Sequence, residues 1–516
     1  MPARSPIAQN GAWFAQLPFA VQLMAAGSAA MLLPALHAIV LDQHRVSQPF
    51  FYGAVLFGVL TALIGLATHG RPVRRVARSQ LLTLAGAFLL LPVMLAVPLH
   101  EARPQMSFFN AYFEMVSAIT TTGASIFNMP RDIPEPLHLW RGLVAWMGGF
   151  LMILSAIAVL APLTLGGFEV MRPSGRGGGP QGRGASTVNL SEAQHRLGRY
   201  AEQLLPLYAG ATGLLWLGLV LLGTEPFHAI MVAMATLSTS GILPVSQFSG
   251  LSLGITAELA VFMFLGLAIT RQALSLPKDR AYLAMLADDR EMRMATVFVL
   301  LVPLTLWLRH FIGAFEVNDE DNLIAALQAL WGAVFTVLSF LTTTGFMSAD
   351  WDAARAWSGL PTPGLVLAGL AILGGGVATT AGGVKLLRFY ALYKHGLREM
   401  ERLVHPSSVG AGGRLGREVR REGAFIAWVF FMLFAVSIAA VVVALTATGL
   451  AFDDAVIFAI SAISNTGPLA GAALEEGARY SALTTTAKSI LIAAMVLGRM
   501  ETLAIIALFN PDFWRR

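Results

Sequence analysis

Ile119-Thr120-Thr121-Thr122-Gly123 closes a short apolar run, and related endings recur as Leu237-Ser238-Thr239-Ser240-Gly241, Leu341-Thr342-Thr343-Thr344-Gly345 and Ile463-Ser464-Asn465-Thr466-Gly467. The four glycines lie 118, 104 and 122 residues apart. A single threonine–glycine pair behind an apolar run reads as a surface turn. Four copies at similar spacing read as an internal repeat.

The runs that carry these endings, 107–121, 226–239, 326–343 and 452–465, are shorter than the surrounding apolar segments and are expected not to cross a bilayer, which takes about 20 helical residues. Each is expected to be a half-helix that enters and leaves on one side, shielded by protein because exposed backbone in lipid leaves its polar groups unpaired. Around them stand ten longer apolar segments, at 17–40, 50–69, 80–99, 140–165, 203–223, 254–272, 295–313, 362–393, 423–449 and 487–509. The pattern is a leading pair of spans followed by four span, half-helix, span units. The expected fold class is an all-α integral membrane protein, a pseudo-tetrameric pore of four repeats preceded by two extra helices. The boundaries are 1–78 for the leading pair, then 79–200, 201–293, 294–421 and 422–516 for repeats one to four.

Composition agrees. Of 516 residues 56% are hydrophobic and only 13% charged, with a mean hydropathy of +0.66. Soluble proteins carry about 25% charged residues, so a water-exposed globule of this length would lack the groups to cover its surface. The net charge of +5 reads as loop charge that sets membrane orientation, not as a nucleic-acid footprint. Cations such as Arg71, Arg74, Arg172, Arg176, Lys278, Lys385, Arg398 and Arg402 fall at alternate span ends, and acids such as Asp319, Glu320, Asp453 and Asp454 at the others. By the positive-inside rule both termini are expected in the cytoplasm, across a cytoplasmic (inner) membrane.

The absence of cysteine excludes disulfides, iron–sulfur clusters and thiolate metal sites. The ten histidines form no HxxxH or HxxE pattern, so no transition-metal site is indicated, and no GxxxxGK[ST] string offers a nucleotide site. An intramembrane enzyme would need grouped acids or histidines within the spans. They are missing, and the chain is not read as an enzyme.

The four endings suit an uncharged cation site. A dehydrating ion needs several oxygens in place of water, and backbone carbonyls supply them without burying carboxylates. Glycine permits the φ values that turn successive carbonyls toward one axis. The half-helix aims its partially negative C-terminus at the same place. The candidate ion-binding residues are Thr121, Thr122 and Gly123, Thr239, Ser240 and Gly241, Thr343, Thr344 and Gly345, and Asn465, Thr466 and Gly467.

Two further features fall inside apolar segments. Gly374-Gly375-Gly376-Val377-Ala378-Thr379-Thr380-Ala381-Gly382-Gly383 holds five glycines in ten residues, enough to break a helix in which each costs about 1 kcal/mol. A small-residue helix contact would also use Gly and Ala, but on one face only. Arg499 lies in the last apolar segment, two residues from Glu501 and so on a different helix face. A charge at such depth faces a wet path or a partner, or snorkels to the surface. Lys385, beside the glycine run, is expected to anchor it to lipid phosphate or a carboxylate, or else to snorkel. Glu114 in the first half-helix faces a vestibule or packs between helices.

With these residues in place the chain resembles the TrkH-like membrane subunits of the Trk/Ktr/HKT superfamily of potassium uptake proteins. Beyond the four endings, the resemblance is carried by Trp140-Arg141 through Gly148-Gly149, Gly374-Gly375-Gly376 through Lys385, Arg402-Leu403-Val404-His405-Pro406, and Gly498-Arg499-Met500-Glu501 with Asn510-Pro511-Asp512-Phe513-Trp514-Arg515. The resemblance implies potassium held by backbone oxygens around each ending and a gate formed by Gly374, Gly375, Gly376, Gly382, Gly383 and Lys385, with Arg499 lining the pore beside it. It further implies a homodimer and a cytosolic regulatory subunit of the TrkA kind that binds NAD or ATP, with no cofactor in this chain. The second ending departs from the family, which usually has Gly-Gly where this chain has Ser240-Gly241. Potassium preference is expected to survive, and discrimination against sodium is the property Ser240 bears on. The alternative is a sodium-coupled or sodium-permeable transporter on the same fold.

Overall fold

Apolar runs of bilayer length become helices because a backbone in hydrocarbon must close its hydrogen bonds within the segment. The computed structural model describes residues 17–68, 76–127, 133–160, 190–245, 248–251, 254–270, 272, 288–313, 323–360, 362–405, 421–474 and 479–500. Among these every regular element is helical. Eight helices among the described residues are long and apolar enough to cross a membrane, which makes the chain a multi-pass membrane protein.

The leading pair is a span bent at Met31, α1 (Phe19–Ala30) with α2 (Leu32–Val40), and its return, α3 (His44–Thr68). Taken in the order of the four expected repeats, the first holds α4 (Val76–Leu89) and α5 (Leu91–Ala102), the short α6 (Phe108–Ile119), and α7 (Glu135–Ser155). The second is α8 (Leu190–Leu221), α9 (Pro226–Ser238) and α10 (Ile255–Leu265). The third contains α11 (Arg290–Gly313), α12 (Leu323–Leu341), α13 (Trp351–Ser358), α14 (Pro363–Leu373) and α15 (Leu386–Val404). The fourth comprises α16 (Arg421–Thr446), α17 (Phe452–Ile463), the short α18 (Pro468–Ala473) and α19 (Thr485–Met500).

Burial separates two classes of helix. Leu56, Leu60, Leu63 and Leu66 on α3, Val297, Leu300 and Leu304 on α11, and Val436 and Val443 on α16 are exposed, an apolar coat that lipid solvates. In contrast, every residue from Phe113 to Ile119 on α6, Met231 to Ser238 on α9, Phe335 to Leu341 on α12 and Ile457 to Ile463 on α17 is buried. The helices that end in the glycine strings are enclosed by protein at those ends, and α7, which carries no string, is enclosed along most of its length.

Several expectations need correction. The stretch 326–343 is not short: α12 has 19 residues and is itself of bilayer length, because Leu323, Ile324 and Ala325 carry the helix outward beyond the expected start. The stretch 254–272 is not one long span. Its helix α10 gives way to a 3₁₀ turn at Gly266–Ala268, where the Gly376 N–H donates to the Ala268 carbonyl at 3.1 Å and ends it against another segment. The segment 362–393 is two helices separated by residues 374–385. The boundary drawn at 200/201 falls inside the continuous helix α8. Glu501, the terminal string from Asn510, and most of the basic loops at 161–189, 273–287 and 406–420 lie outside the described residues.

Candidate functional site

Each of the four enclosed helices ends in the same cap. The second residue beyond it is left-handed, with φ of +52° at Thr121, +50° at Thr239 (here the first residue beyond), +59° at Thr343 and +55° at Asn465. Its N–H donates to the carbonyl of Ala118 (2.8 Å), Thr236 (3.2 Å), Phe340 (3.1 Å) or Ala462 (3.3 Å). The next N–H, from Thr122, Ser240, Thr344 or Thr466, donates to Ser117 (2.8 Å), Ala235 (3.0 Å), Ser339 (2.9 Å) or Ser461 (2.9 Å). This bond pair is a Schellman cap, whose left-handed position glycine usually fills. Threonine there costs about 1–3 kcal/mol, and such strain persists only where the surroundings over-determine it.

The surroundings here are hydroxyls. Thr120 and Thr122 Oγ1 lie 2.8 Å apart, Ser238 and Ser240 Oγ 2.9 Å, Thr342 and Thr344 Oγ1 3.1 Å, and Ser464 Oγ and Thr466 Oγ1 3.1 Å. Ser240 therefore fills the same place in its string as the threonines do in theirs. The helix ends satisfy further hydroxyls locally, as where Thr120 Oγ1 donates to Val116 O (2.7 Å) and Thr236 Oγ1 to Val232 O (2.7 Å).

Beyond the caps the strings part company. Gly123, Gly241 and Gly345 have φ of +75°, +64° and +80°. The carbonyls of Thr239, Ser240, Gly241, Thr343, Thr344 and Gly345 accept no hydrogen bond among the described residues. In the fourth string Gly467 is right-handed, φ −54°, and opens α18. Its carbonyl accepts from Ala470 N (3.2 Å) and the Tyr480 hydroxyl (3.2 Å), while Thr466 O accepts from Leu469 N (3.1 Å) and Ser461 Oγ (2.9 Å).

The structure brings all four strings together. A Cβ on Gly123 would fall 1.9 Å from Ser240 O, and one on Gly241 would fall 2.3 Å from Thr344 O. Gly467 N donates to Thr122 O at 2.5 Å, and Asn465 Nδ2 to Thr122 Oγ1 at 2.9 Å. The ring of Pro468 stands 3.5, 2.6 and 2.8 Å from the Cβ positions of Gly123, Gly241 and Gly345. A ring that reaches three strings sits between them. The buried oxygens Thr121 Oγ1, Thr239 Oγ1 and Asn465 Oδ1 have no hydrogen-bond partner among the described residues. The set offers a cation uncharged carbonyl and hydroxyl oxygens. No group of three or more metal-ligating His, Cys, Asp or Glu side chains occurs among the described residues.

Buried carboxylates hold two of the strings from behind. Glu114 packs between helices rather than facing a vestibule: it is ion-paired with Arg141 Nε at 2.9 Å and accepts from Ile126 N (2.6 Å) and Ser125 Oγ (2.9 Å), just past the first string. Glu258 on α10 reaches across to α12 and the chain after it, accepting from Trp331 Nε1 (2.9 Å), Ser348 Oγ (2.8 Å) and Ala349 N (2.8 Å), just past the third. The sequence reading missed Glu258, although a lone acid near the start of an apolar helix is itself a signal. Pro468 was also missed. Nothing in its local sequence shows that it meets three distant strings.

The glycine-rich segment is unwound. Helix α14 stops at Leu373, and α15 begins at Leu386, with positive φ at Gly374, Ala378, Gly383 and Lys385 between them. It packs without room for side chains: a Cβ on Gly375 would lie 2.6 Å from Ala268 O, on Gly376 1.9 Å from Ile269 O, and on Gly382 2.0 Å from Ser464 O. Gly382 N donates to Thr343 Oγ1 at 2.7 Å, so the segment touches the third string directly. Lys385 is buried and donates to Ala381 O, bracing the segment from within instead of snorkelling.

Arg499 is 2% exposed on α19, and its Nε and Nη2 have no hydrogen-bond partner among the described residues. The preceding Gly498 lets α19 press on the end of α17, where a Cβ would fall 2.0 Å from Ile463 O. Gly148 does the same for α7 and α6, 2.1 Å from Ile119 O. A snorkelling arginine would be exposed, so burial removes that reading.

The chain is similar to known proteins over most of its length. Residues 267–516 match the TrkH family model, described as a cation transport protein. The chain is 30% identical over 438 residues to the Trk system potassium uptake protein TrkH of Halomonas elongata, covering 84% of this chain and 83% of that one. It is 30% identical over 421 residues to the Trk system potassium uptake protein TrkH of Escherichia coli, covering 80% of each. The crystal structure of the potassium transporter TrkH from Vibrio parahaemolyticus matches with a TM-score of 0.78 at 25% sequence identity, over 97% of this chain and 99% of that one. The chain therefore belongs to the TrkH family of cation transport proteins, which are membrane ion transporters and not enzymes.

Proposed function

We propose that this chain takes potassium into the cell across the cytoplasmic membrane, through a pore whose selective element is the four glycine strings arranged as a pseudo-tetramer. The observation that carries the reading is the convergence of four identically capped helix ends, each delivering unpaired oxygens or a bonded neighbour to one place. The relatives' names supply the ion. Helix C-termini favour a cation there, and the membrane potential supplies about 2.3 kcal/mol per charge per 100 mV. The unwound segment 374–385 is the gate, and Arg499 stands in the pathway beside it. Both termini are cytoplasmic by the distribution of basic loops. The working assembly is a homodimer with a TrkA-like cytosolic subunit that binds NAD or ATP and meets the loops at 166–200, 273–293 and 394–421.

Against the sodium-permeable alternative stands the second string, where Ser240 keeps the cap, the hydroxyl pair and the left-handed glycine of strings one and three. The test is flux in liposomes with potassium or sodium as the only permeant cation, alongside growth rescue of a potassium-uptake-deficient host. Strong preference for potassium and rescue are expected. A permeability ratio near one would end the selective reading, and absent flux would end the transport reading.

A further inference from the structure

The unwound segment is held at both ends by side-chain acceptors. Val377 N–H donates to Glu291 Oε1 at 2.8 Å, and Gly382 N–H donates to Thr343 Oγ1 at 2.7 Å. Between them the segment makes its own turn, with Thr379 Oγ1 donating to Gly376 O at 2.8 Å. A stretch with five glycines has little side-chain packing of its own, so backbone N–H groups captured from outside decide its place.

Glu291 does not sit on a free tether. It is the second residue of α11, and Asp289 caps that helix by accepting from Glu291 N at 2.8 Å. The other oxygen of Asp289 accepts from Thr270 Oγ1 at 2.6 Å, at the end of the second repeat. The carboxylate that holds Val377 is therefore fixed to the start of the third repeat and, through Asp289, to the end of the second. Glu291 is 6% exposed, so its bond to Val377 N–H is not replaced by water at no cost.

At the other end, Thr343 occupies in the third string the position of Thr121, Thr239 and Asn465 in the others. Those three leave a buried oxygen unpartnered among the described residues, whereas the Thr343 oxygen is engaged by Gly382. An ion drawing on Thr343 Oγ1 competes with the segment for the same lone pairs.

We propose that Glu291 and Thr343 are paired latches that hold segment 374–385 closed, Glu291 transmitting the placement of the repeat two–repeat three junction and Thr343 that of the ion site. The proposal rests on the reading of this segment as the gate. Both are positioning residues toward the gate.

The chain has no cysteine, so a single introduced Thr380→Cys reports access to the segment in full-length protein. In that background Glu291→Ala and Thr343→Val are expected to raise the rate of thiol labelling by a membrane-impermeant maleimide about tenfold or more, as loss of a hydrogen bond to a charged or buried acceptor implies. Glu291→Gln and Thr343→Ser keep an acceptor and are expected to label near the parent rate. Thr121→Val removes the equivalent hydroxyl without touching the segment and is expected to alter potassium flux without faster labelling. A variant lacking residues 377–381 tests the gate reading by itself, through potassium leak from liposomes. Leak unchanged by that deletion overturns the gate and the latches together. Raised leak in the deletion, with parent labelling rates in Glu291→Ala and Thr343→Val, overturns the latches alone.

Discussion

The first three glycine strings and the fourth begin alike and end differently. All four leave their helix through a Schellman cap with a strained Thr or Asn, and all four pair hydroxyls two residues apart. After that, glycines 123, 241 and 345 turn left-handed, while Gly467 stays right-handed and hands its carbonyl to α18. Pro468 follows it and opens α18. Its φ is locked near −65° and it lacks an N–H, which suits the first position of a helix. The same pattern therefore yields two strings whose carbonyls accept no hydrogen bond among the described residues, a first whose Thr122 carbonyl is taken by Gly467, and a fourth that lends that N–H and a proline ring to the others. Local sequence built the caps, and the contacts beyond them, among them Gly467 N–H on Thr122 O, decided where the oxygens go.

The sharpest break would come at a left-handed glycine. Gly241→Ala places a Cβ 2.3 Å from Thr344 O and 2.6 Å from Pro468 Cγ, at a φ that L residues rarely adopt. Potassium flux in liposomes should fall at least about a hundredfold, consistent with lost dehydration geometry. Retained flux would mean that string two does not share the role of string one.

A smaller effect should follow from the support behind the first string. Arg141→Ala leaves Glu114 as a buried carboxylate without its ion pair and should destabilise the fold by about 3–5 kcal/mol. Glu258→Gln, which loses charge but keeps the side-chain shape, should cost less, about 1–3 kcal/mol. Thermal unfolding in detergent ranks the two, and the reverse order would show that the third string depends more on its support than the first.

The smallest effect is expected at the residue that sets the fourth string apart. Pro468→Ala removes the ring from between Gly123, Gly241 and Gly345, restores an N–H, and should raise potassium flux a few-fold while lowering the potassium-to-sodium ratio. Unchanged flux and ratio would mean that the ring is packing alone, and that the fourth string is equivalent to the others in function.

Much of this was legible in the residues. The recurrence of Ser/Thr/Asn before glycine located the ends of four buried helices, because hydroxyl and amide side chains there satisfy one another and glycine takes the turn that follows. Five glycines in ten located the break between α14 and α15, since helix propensity alone forbids continuation. Other features were hidden because they depend on what lies across the fold. The length of α12 depended on three apolar residues at its start that read as loop. Lys385 carried equal signals for lipid and protein, and its folding back onto Ala381 is a matter of the space the segment leaves. Glu114 needed Arg141, 27 residues on, before its role could be seen.

Hydropathy, glycine spacing and charge asymmetry act within one turn of chain or one bilayer thickness, so composition and order were enough to specify a helical membrane protein and the helix ends that carry its four strings. The pairing of Glu258 with Trp331 and Ser348, of Gly382 with Thr343, and of Pro468 with three glycines joins residues from 39 to 345 positions apart. Such contacts carry no periodicity and no local propensity. They arise when enclosed helices bring their ends to a common place and each buried polar group must find whatever partner the packing supplies.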